Sequence, residues 1–346
     1  MRTIELGADD ISALSGVAAE LSGRHGSVED ESFQNECRVY AEELPRGLRR
    51  ALNEFRLAES PAVLVISGLP VDDATLGPTP AHWIGLPSAR PTLPYDLAFY
   101  LIACLVGEPV AWATQQDGRI MHDVFPIREH AGEQIGWGSS EVLTWHTEDA
   151  FHPLRADYLG LMCLRNPDRV ETTFADIGDA DLAGELRDLL SQERYYILPD
   201  DSHRPRNQVA AAGQEDARLG ELRARGLQRV EQGLASPEPV AVLFGSPYAP
   251  YLRIDPAYME GARDRLGPAG RAALDQIGVA LDSATRAVAL APGDICFIDN
   301  YQAVHGRQAF RARFDGTDRW LRRLNLARDL RKSRADRLSA RSRVIY

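Results

Sequence analysis

The spacing of hydrophobic residues along the chain follows two different patterns, and it changes from one to the other near residue 110. In the first third, apolar residues recur three and four positions apart, as Leu14, Val17, Ala18 and Leu21 do, which is typical of one face of a helix. This spacing predicts helices over 10–21, 30–43, 45–58 and 94–106, with short strands at 3–6 and 62–68. Residues 1–109 are therefore expected to be largely helical and to surround a later β core.

Beyond residue 110, short runs rich in β-forming residues alternate with turn signals, which is typical of a β-sandwich or barrel. One amphipathic helix, 268–285, is predicted to interrupt the strands. The polar segment 199–213 has no hydrophobic period and is expected to be a mobile loop or lid. The basic segment 329–346 is predicted to contain a terminal helix. Predicted strands cover 110–113, 119–124, 157–164, 172–176, 195–198, 240–244, 251–254, 287–290, 294–298 and 319–327.

Composition narrows the class of protein without identifying a site. The 346-residue chain has a net charge of −11 at pH 7, which argues against nucleic acid as a partner. Its four cysteines show no C-x-x-C spacing and fall mostly in apolar runs, as expected of reduced thiols in a cytosol. With no signal peptide or membrane-spanning run in the pattern, we expect a single domain, 1–346, that works in the cytoplasm as a monomer or homodimer.

The chemistry begins with His146-Thr147-Glu148, where an imidazole and a carboxylate lie two positions apart. On a strand they would point to the same side of a sheet and supply two ligands of a 2-His-1-carboxylate triad. Such a triad binds Fe(II) on one face and leaves the opposite positions open. His305, at the end of a β-run and before Gly306, is a candidate for the third ligand. An isolated H-x-E occurs by chance in many proteins, so the motif needs this distant partner.

The stretch WHTEDAFHP, the turn Pro292-Gly293-Asp294, the element Val304-His305-Gly306-Arg307 and the arginines that follow resemble the clavaminate synthase-like Fe(II)/2-oxoglutarate oxygenases. The stretch WHTEDAFHPLRADYLGLMCLRNPD is similar to the branch that acts on free arginine in antibiotic pathways. The resemblance covers most of residues 95–330. It implies a double-stranded β-helix, or jelly-roll, core over 110–328 with surrounding helices.

The resemblance also assigns roles to particular residues. It implies that Fe(II) is bound by His146, Glu148 and His305, with 2-oxoglutarate as co-substrate and O2 as the oxidant. Arg319 would pair with the distal carboxylate of 2-oxoglutarate, a role suited to a planar fork of donors. The residues implied to contact the substrate are Gln115, Glu148, Asp200, Asp201, Ser202, Asp255 and Arg323. Of these, Arg323 would bind the substrate carboxylate and Asp255 the guanidinium, and a contact from Ser139 or Ser140 is a further expectation.

The implied activity is hydroxylation of a side-chain carbon, C3 or C4, of free L-arginine or a close guanidino amino acid, giving succinate and CO2. Desaturation of arginine at the same iron site is the alternative, followed by hydroxylation of another amino acid. A non-catalytic jelly-roll binding protein and a protein-modifying oxygenase come last. The other polar residues are interpreted as structural or solvated; they include His122, His130, Glu141, Asp149, His152, His203 and Arg322.

Overall fold

The strands lie close to where the hydrophobic pattern predicts them. The computed structural model describes residues 1–87, 90–204 and 217–346. The strands are β1 (Arg2–Glu5), β2 (Val63–Ser67), β3 (Glu108–Trp112), β4 (His122–Val124), β5 (Leu143–His146), β6 (Tyr158–Arg165), β7 (Thr172–Asp176), β8 (Leu243–Gly245), β9 (Pro250–Leu252), β10 (Arg286–Val288), β11 (Ile295–Asp299), β12 (Ala303–Arg307), β13 (Trp320–Ala327) and β14 (Val344–Ile345).

Two sheets form the core. The larger has the strand order β1-β2-β11-β6-β13-β3-β14, with β4 also paired to β13. The smaller has the order β10-β7-β12-β5, and β8 and β9 form a separate hairpin. The first third of the chain is therefore more than a helical surround, because β1 and β2 belong to the larger sheet.

Helices cover the outer faces of both sheets. They are α1 (Ala8–Ser22), α2 (Glu31–Ala41), α3 (Arg46–Ala58), α4 (Asp73–Leu76), α5 (Leu93–Cys104), α6 (Gly184–Leu190), α7 (Ala217–Ala235), α8 (Pro256–Met259) and α9 (Pro268–Ala284). In α5 every residue from Asp96 to Cys104 is buried, because this helix lies between the larger sheet and the outer helices α1 and α2. Four of these helices were not predicted: α4, α6, α7 and α8.

The strands of the larger sheet are apolar on both faces, which explains their nearly continuous hydrophobic runs. In β6, Leu159 and Leu161 pack in the cluster between the sheets, while Tyr158 and Met162 pack in the cluster beneath the helices. The residues alternate because successive side chains on a strand point to opposite faces. The predicted jelly-roll core with surrounding helices is confirmed.

The C-terminal segment is not the helix that its sequence pattern predicts. It forms a 3₁₀ turn, Leu330–Asp336, and then β14, which pairs in parallel with β3. The reason lies in Arg337, which is only 2% exposed and whose guanidinium donates to the backbone carbonyls of Leu330, Ala340 and Ser342. The five N–H donors of this buried guanidinium provide hydrogen bonds for backbone carbonyls that would be bonded to backbone N–H groups in a helix.

Two further predictions change in the structure. The predicted strand 195–198 is reduced to a single bridge between Tyr195 and Val240. The predicted lid, 199–213, is described only as far as residue 204, and its remainder lies outside the described residues. Throughout the described parts of the chain, no helix combines the length and the apolar character that crossing a bilayer requires.

Arg322 is the centre of a buried ion-pair network on the helix-facing side of β13. Its Nε lies 2.7 Å from Asp96 Oδ1 and its Nη2 lies 3.0 Å from Asp96 Oδ2, and it also donates to Asp123. Arg90 adds a second cation, with its Nη1 2.8 Å from Asp123 Oδ2. These charges compensate one another, so removal of one partner leaves the others buried with less compensating charge.

We expect Arg322→Ala to lower the free energy of unfolding by about 3–5 kcal/mol, because it leaves two buried carboxylates undercompensated. Urea unfolding followed by circular dichroism measures this change. Arg313→Ala is the matched control: its ion pair with Asp168 is also Arg–Asp, but those side chains are 43% and 37% exposed, so little change is expected. Equal effects from the two substitutions would contradict the role assigned to the buried network.

Candidate active site

The pairing of β5 with β12 brings the two predicted histidine ligands together. His146 lies directly opposite His305 in this antiparallel pair. Glu148 Oε2 lies 3.8 Å from His146 Nε2 and 3.3 Å from His305 Nε2. The three ligand atoms all lie within 4.8 Å of one another, a separation that suits one metal ion. The backbone of Glu148 is held by Asn300, whose side chain accepts from its N–H at 2.6 Å and donates to its carbonyl at 3.0 Å.

The donor atoms fit a divalent iron ion. His146 Nδ1 lies 2.8 Å from the carbonyl oxygen of Thr144, so it carries a proton. Although burial would lower it, the carboxylates of Glu148 and Asp255 raise the pKa of His146 to about 9, and the proton on Nε2 is the one that Fe(II) would displace. Burial and the neighbouring His146 lower the pKa of His305 to about 4, which keeps that imidazole neutral. Although burial would raise the pKa of Glu148, the Arg323 guanidinium and the two imidazoles hold it well below its usual range. Two neutral imidazoles and one carboxylate are the ligand set of a facial triad.

Two buried arginines lie on one side of the triad. Arg319 and Arg307 line the same cavity as the triad, and burial lowers the pKa of each to about 10, so both are charged at neutral pH. Arg319 Nη2 donates to Thr172 Oγ1 at 3.3 Å, and Thr172 lies opposite Arg307 in the pairing of β7 with β12. Among the described residues, Arg319 Nε and Arg307 Nε and Nη1 have no hydrogen-bond partner. Unpaired buried cations of this kind suit an anionic ligand.

Arg323 joins the triad to a polar cluster on the other side. Its Nη1 donates to Glu148 Oε1 at 2.6 Å, and its Nη2 donates to Gln115 Oε1 at 3.2 Å and to His122 Nδ1 at 2.7 Å. Burial and the charge of Arg323 lower the pKa of His122 well below its usual range, so its neutral ring can accept that hydrogen bond. Strand alternation explains why Arg319, Leu321 and Arg323 face this cavity while Arg322 does not.

Carboxylates line the far end of the cavity. Asp255 caps α8 by accepting from the backbone N–H of Tyr258 at 3.3 Å, and its side chain is buried. Burial, reinforced by the charge of Asp200, raises the pKa of Asp255 to about 7. Asp200 accepts from the backbone N–H of Ser202 at 2.8 Å, and Ser202 Oγ accepts from Gln115 Nε2 at 2.7 Å. The cavity therefore has cationic and anionic parts that are separated by the triad and Gln115.

The structure brings most of the predicted site residues into one cavity but not all of them. The residues in the cavity are Gln115, His146, Glu148, Asp200, Ser202, Asp255, His305, Arg319 and Arg323. Asp201 does not line the cavity, and its carboxylate lies 2.6 Å from Arg204 Nε. Ser139 and Ser140 are also outside, because both backbone N–H groups donate to the carbonyl of Ala131. The loop residues that do line the cavity are those from Gln134 to Trp137.

Four polar residues near the site were interpreted as structural or were given no role from the sequence. Arg307 lines the same side of the cavity as Arg319, and His122 accepts a hydrogen bond from Arg323. Asp149 and His203 are buried and lie 2.8 Å apart, from Oδ1 to Nε2. None of the four has a spacing signal of its own, although Arg307 and Asp149 lie two positions and one position from a triad residue.

Comparisons with known proteins agree with this geometry. Residues 46–325 match the family model "Taurine catabolism dioxygenase TauD, TfdA family". The chain is 60% identical to an enduracididine beta-hydroxylase of Streptomyces hygroscopicus and 42% identical to an L-ornithine/L-arginine 3-hydroxylase of Catenulispora acidiphila, over the full length of each chain. It is also similar to the crystal structure of the non-heme iron oxygenase OrfP with Fe, succinate and (3S)-hydroxy-L-Arg, with a TM-score of 0.90, 41% identity and 99% of each chain covered.

The match to the family model covers most of the chain, and the relatives match over their whole length. The sequence resemblance to clavaminate synthase-like Fe(II)/2-oxoglutarate oxygenases is confirmed, and the chain belongs to the TauD, TfdA dioxygenase family.

Proposed function

We propose that this protein is an Fe(II)/2-oxoglutarate-dependent dioxygenase that hydroxylates the β-carbon, C3, of free L-arginine or a close guanidino amino acid. The observation that carries the proposal is the cavity around His146, Glu148 and His305. On one side of it, Arg307 and Arg319 have guanidinium N–H groups without a partner in the described part of the chain. On the other side, Arg323 lies at one end and the carboxylates of Asp200 and Asp255 lie at the other. This arrangement suits one dicarboxylate and one cationic amino acid beside the same metal ion.

The residues on the arginine side are suited to 2-oxoglutarate. Arg319, supported by the Thr172 hydroxyl, would pair with the distal carboxylate, which compensates the cost of burying both charges. Leu159, Leu161 and Leu321 line the cavity and would cover the methylene groups. When bound, Fe(II) supplies the activation of O2 that is coupled to the oxidation of 2-oxoglutarate to succinate and CO2.

The other side of the cavity is suited to a free amino acid. Arg323 and Gln115 would hold the α-carboxylate close to the triad. Asp255 and Asp200 would receive the guanidinium, whose planar fork can donate to two carboxylates at once. Binding at both ends would fix the position of the side-chain carbons relative to the metal, so that one C–H bond faces the oxidant.

The choice of C3 rests on the relatives. The proteins that are 60% and 42% identical are named as a beta-hydroxylase and a 3-hydroxylase, and the OrfP structure contains (3S)-hydroxy-L-Arg. A cyclic guanidino acid related to enduracididine is within the proposed substrate class. Hydroxylation at C4, desaturation and action on another amino acid are the alternatives, and the product assay described below distinguishes them.

We also propose that the protein works in the cytoplasm, in keeping with its cysteines. All four are free and buried. Cys37 Sγ and Cys104 Sγ lie 3.4 Å apart without a bond, as is usual in a reducing compartment.

The direct test is a product assay. Purified protein is incubated with Fe(II), 2-oxoglutarate, ascorbate, air and L-arginine, and separately with a cyclic guanidino amino acid. Mass spectrometry is expected to show a gain of one oxygen, and NMR is expected to place the hydroxyl group at C3. A loss of two hydrogens would replace the proposal with the desaturase alternative. No succinate formation with any guanidino substrate would contradict the proposed activity.

We expect Glu148→Ala to abolish tight binding of Fe(II), because it removes the carboxylate from a three-residue ligand set. Anaerobic calorimetric titration with Fe(II) measures this without turnover. Glu141→Ala is the control, since Glu141 is an exposed glutamate in the same segment and should leave Fe(II) affinity unchanged. Undiminished Fe(II) binding by the Glu148 variant would exclude it as a ligand.

We expect Asp255→Asn to weaken arginine binding at least about tenfold, roughly the 1.4 kcal/mol at the low end of a charge-assisted hydrogen bond. Asparagine is as good a helix cap as aspartate, so this substitution keeps the start of α8 and removes only the charge. Calorimetry with arginine and, separately, with 2-oxoglutarate measures the effect. An unchanged arginine affinity, or an equal loss for 2-oxoglutarate, would remove Asp255 from the guanidinium site.

A further inference from the structure

Asp149 directly follows the proposed iron ligand Glu148 and has a positive φ of 49°. This conformation is costly for a residue other than glycine and persists where surrounding contacts hold it. Here the carboxylate of Asp149 is fully buried and accepts hydrogen bonds from Trp112 Nε1, from Gln115 Nε2 at 3.1 Å and from His203 Nε2 at 2.8 Å. Asp149 therefore lies at the wall of the cavity, where its carboxylate meets a cluster of three donors.

His203 belongs to the same short turn as Asp200 and Ser202, Asp201–His203 with its cap. Its side chain is 1% exposed. Besides Asp149, it contacts Thr114, with Nδ1 2.6 Å from Thr114 Oγ1, and its ring meets the edge of Phe151 at 4.9 Å between centroids. These contacts with two other segments restrict the conformation of the His203 side chain. They therefore also restrict the turn that carries it, Asp201–His203.

Gln115 links this cluster to the carboxylate end of the proposed substrate site. Its Nε2 donates to Asp149 Oδ1 at 3.1 Å and to Ser202 Oγ at 2.7 Å, while its Oε1 accepts from Arg323. Because Asp149 and Ser202 both accept hydrogen bonds from the amide nitrogen of Gln115, the amide oxygen of Gln115 must face Arg323. Asp149 thus determines the orientation of Gln115 and, through His203, the position of Asp200.

We propose that Asp149 and His203 are positioning residues that set the distance between the carboxylate end of the substrate site, at Gln115 and Arg323, and the guanidinium end, at Asp200. This inference rests on the proposed function. Neither residue touches the substrate in this scheme. Their contribution is to keep the residues that bind the two ends of the substrate at a fixed distance from Glu148, the proposed iron ligand.

The consequence is a specific kinetic defect. If the turn Asp201–His203 loses its attachment, Asp200 no longer holds the guanidinium in one place, and the substrate carbon faces the metal less often. We expect His203→Ala to raise the KM for arginine about tenfold, equivalent to roughly 1.4 kcal/mol. We also expect fewer hydroxylated products for each succinate formed. The affinities for Fe(II) and 2-oxoglutarate, which depend on other residues, should stay at the level of the unmodified enzyme.

A set of variants separates positioning from packing. His203→Gln places an amide N–H near the position of Nε2 and should restore most of the coupling between succinate and product. Asp149→Asn presents one acceptor where three donors converge, so it should reproduce the His203→Ala defect. Thr114→Val removes only the contact at Nδ1 and should give a smaller defect in the same direction. His25→Ala, at a buried histidine among α1 and α2, controls for a general loss of stability.

The experiment measures KM for arginine, the ratio of hydroxylated product to succinate, and melting temperature for each variant. The proposal is overturned if His203→Ala or, should that variant not fold, Thr114→Val keeps the KM and the product ratio of the unmodified enzyme. It is equally overturned if His203→Gln is no better coupled than His203→Ala, since the defect would then come from lost packing. Failure of the proposed function looks different: the unmodified enzyme itself would give no arginine-dependent product.

Discussion

The site depends on the register between β5 and β12. This pairing puts His146 opposite His305, and a slip of one residue would turn either histidine to the other face of the sheet. The register is irregular between His305 and Arg307, where the backbones come close. A Cβ on Gly306 would lie 2.5 Å from the carbonyl oxygen of Leu143, so only glycine fits there. Glycine at this position thus allows both His305 and Arg307 to face the cavity.

A continuous set of contacts connects the triad to the substrate end. Arg323 donates to Glu148 and to Gln115, and Gln115 donates in turn to Asp149 and Ser202. The carboxylate that would bind the metal is therefore already neutralised by an arginine that would also bind the substrate. Because each group has a charged or polar partner, the cluster can remain buried without an excess of unpaired charge.

The sequence predicts the fold, and it points to the three side chains that the structure brings together, because these features follow from local patterns. Alternating apolar residues locate most strands, and the spacing of His146 and Glu148 together with a histidine before Gly306 predicts the ligand set. The cluster of Asp149 and His203 could not be predicted, because it joins segments distant in the chain through side chains with no period. The helix α7 was missed because one of its three buried positions, between Leu222 and Val230, is Gly226, which weakens the apolar stripe. The C-terminal segment was mistaken for a helix because its many basic residues are typical of a helix exposed to solvent. In the structure, however, one of these residues, Arg337, is buried.

The geometry of the carboxylate end would suit the guanidinium of the proposed substrate better than an ammonium ion. Asp255 is confined by its role as the cap of α8, and Asp200 by its bond to Ser202, so neither can move far toward a ligand. An ammonium group is a compact point charge, whereas a guanidinium presents donors across a rigid plane and can meet two fixed carboxylates at once. Burial raises the pKa of Asp255 to about 7 because the charged carboxylate has lost its contact with water. A cation that binds beside Asp255 would stabilise the charged form and offset this desolvation cost. If Asp200 and Asp255 bind the guanidinium as proposed, a preference for arginine over lysine would follow from the rigidity of these two acidic groups and not from their charge alone.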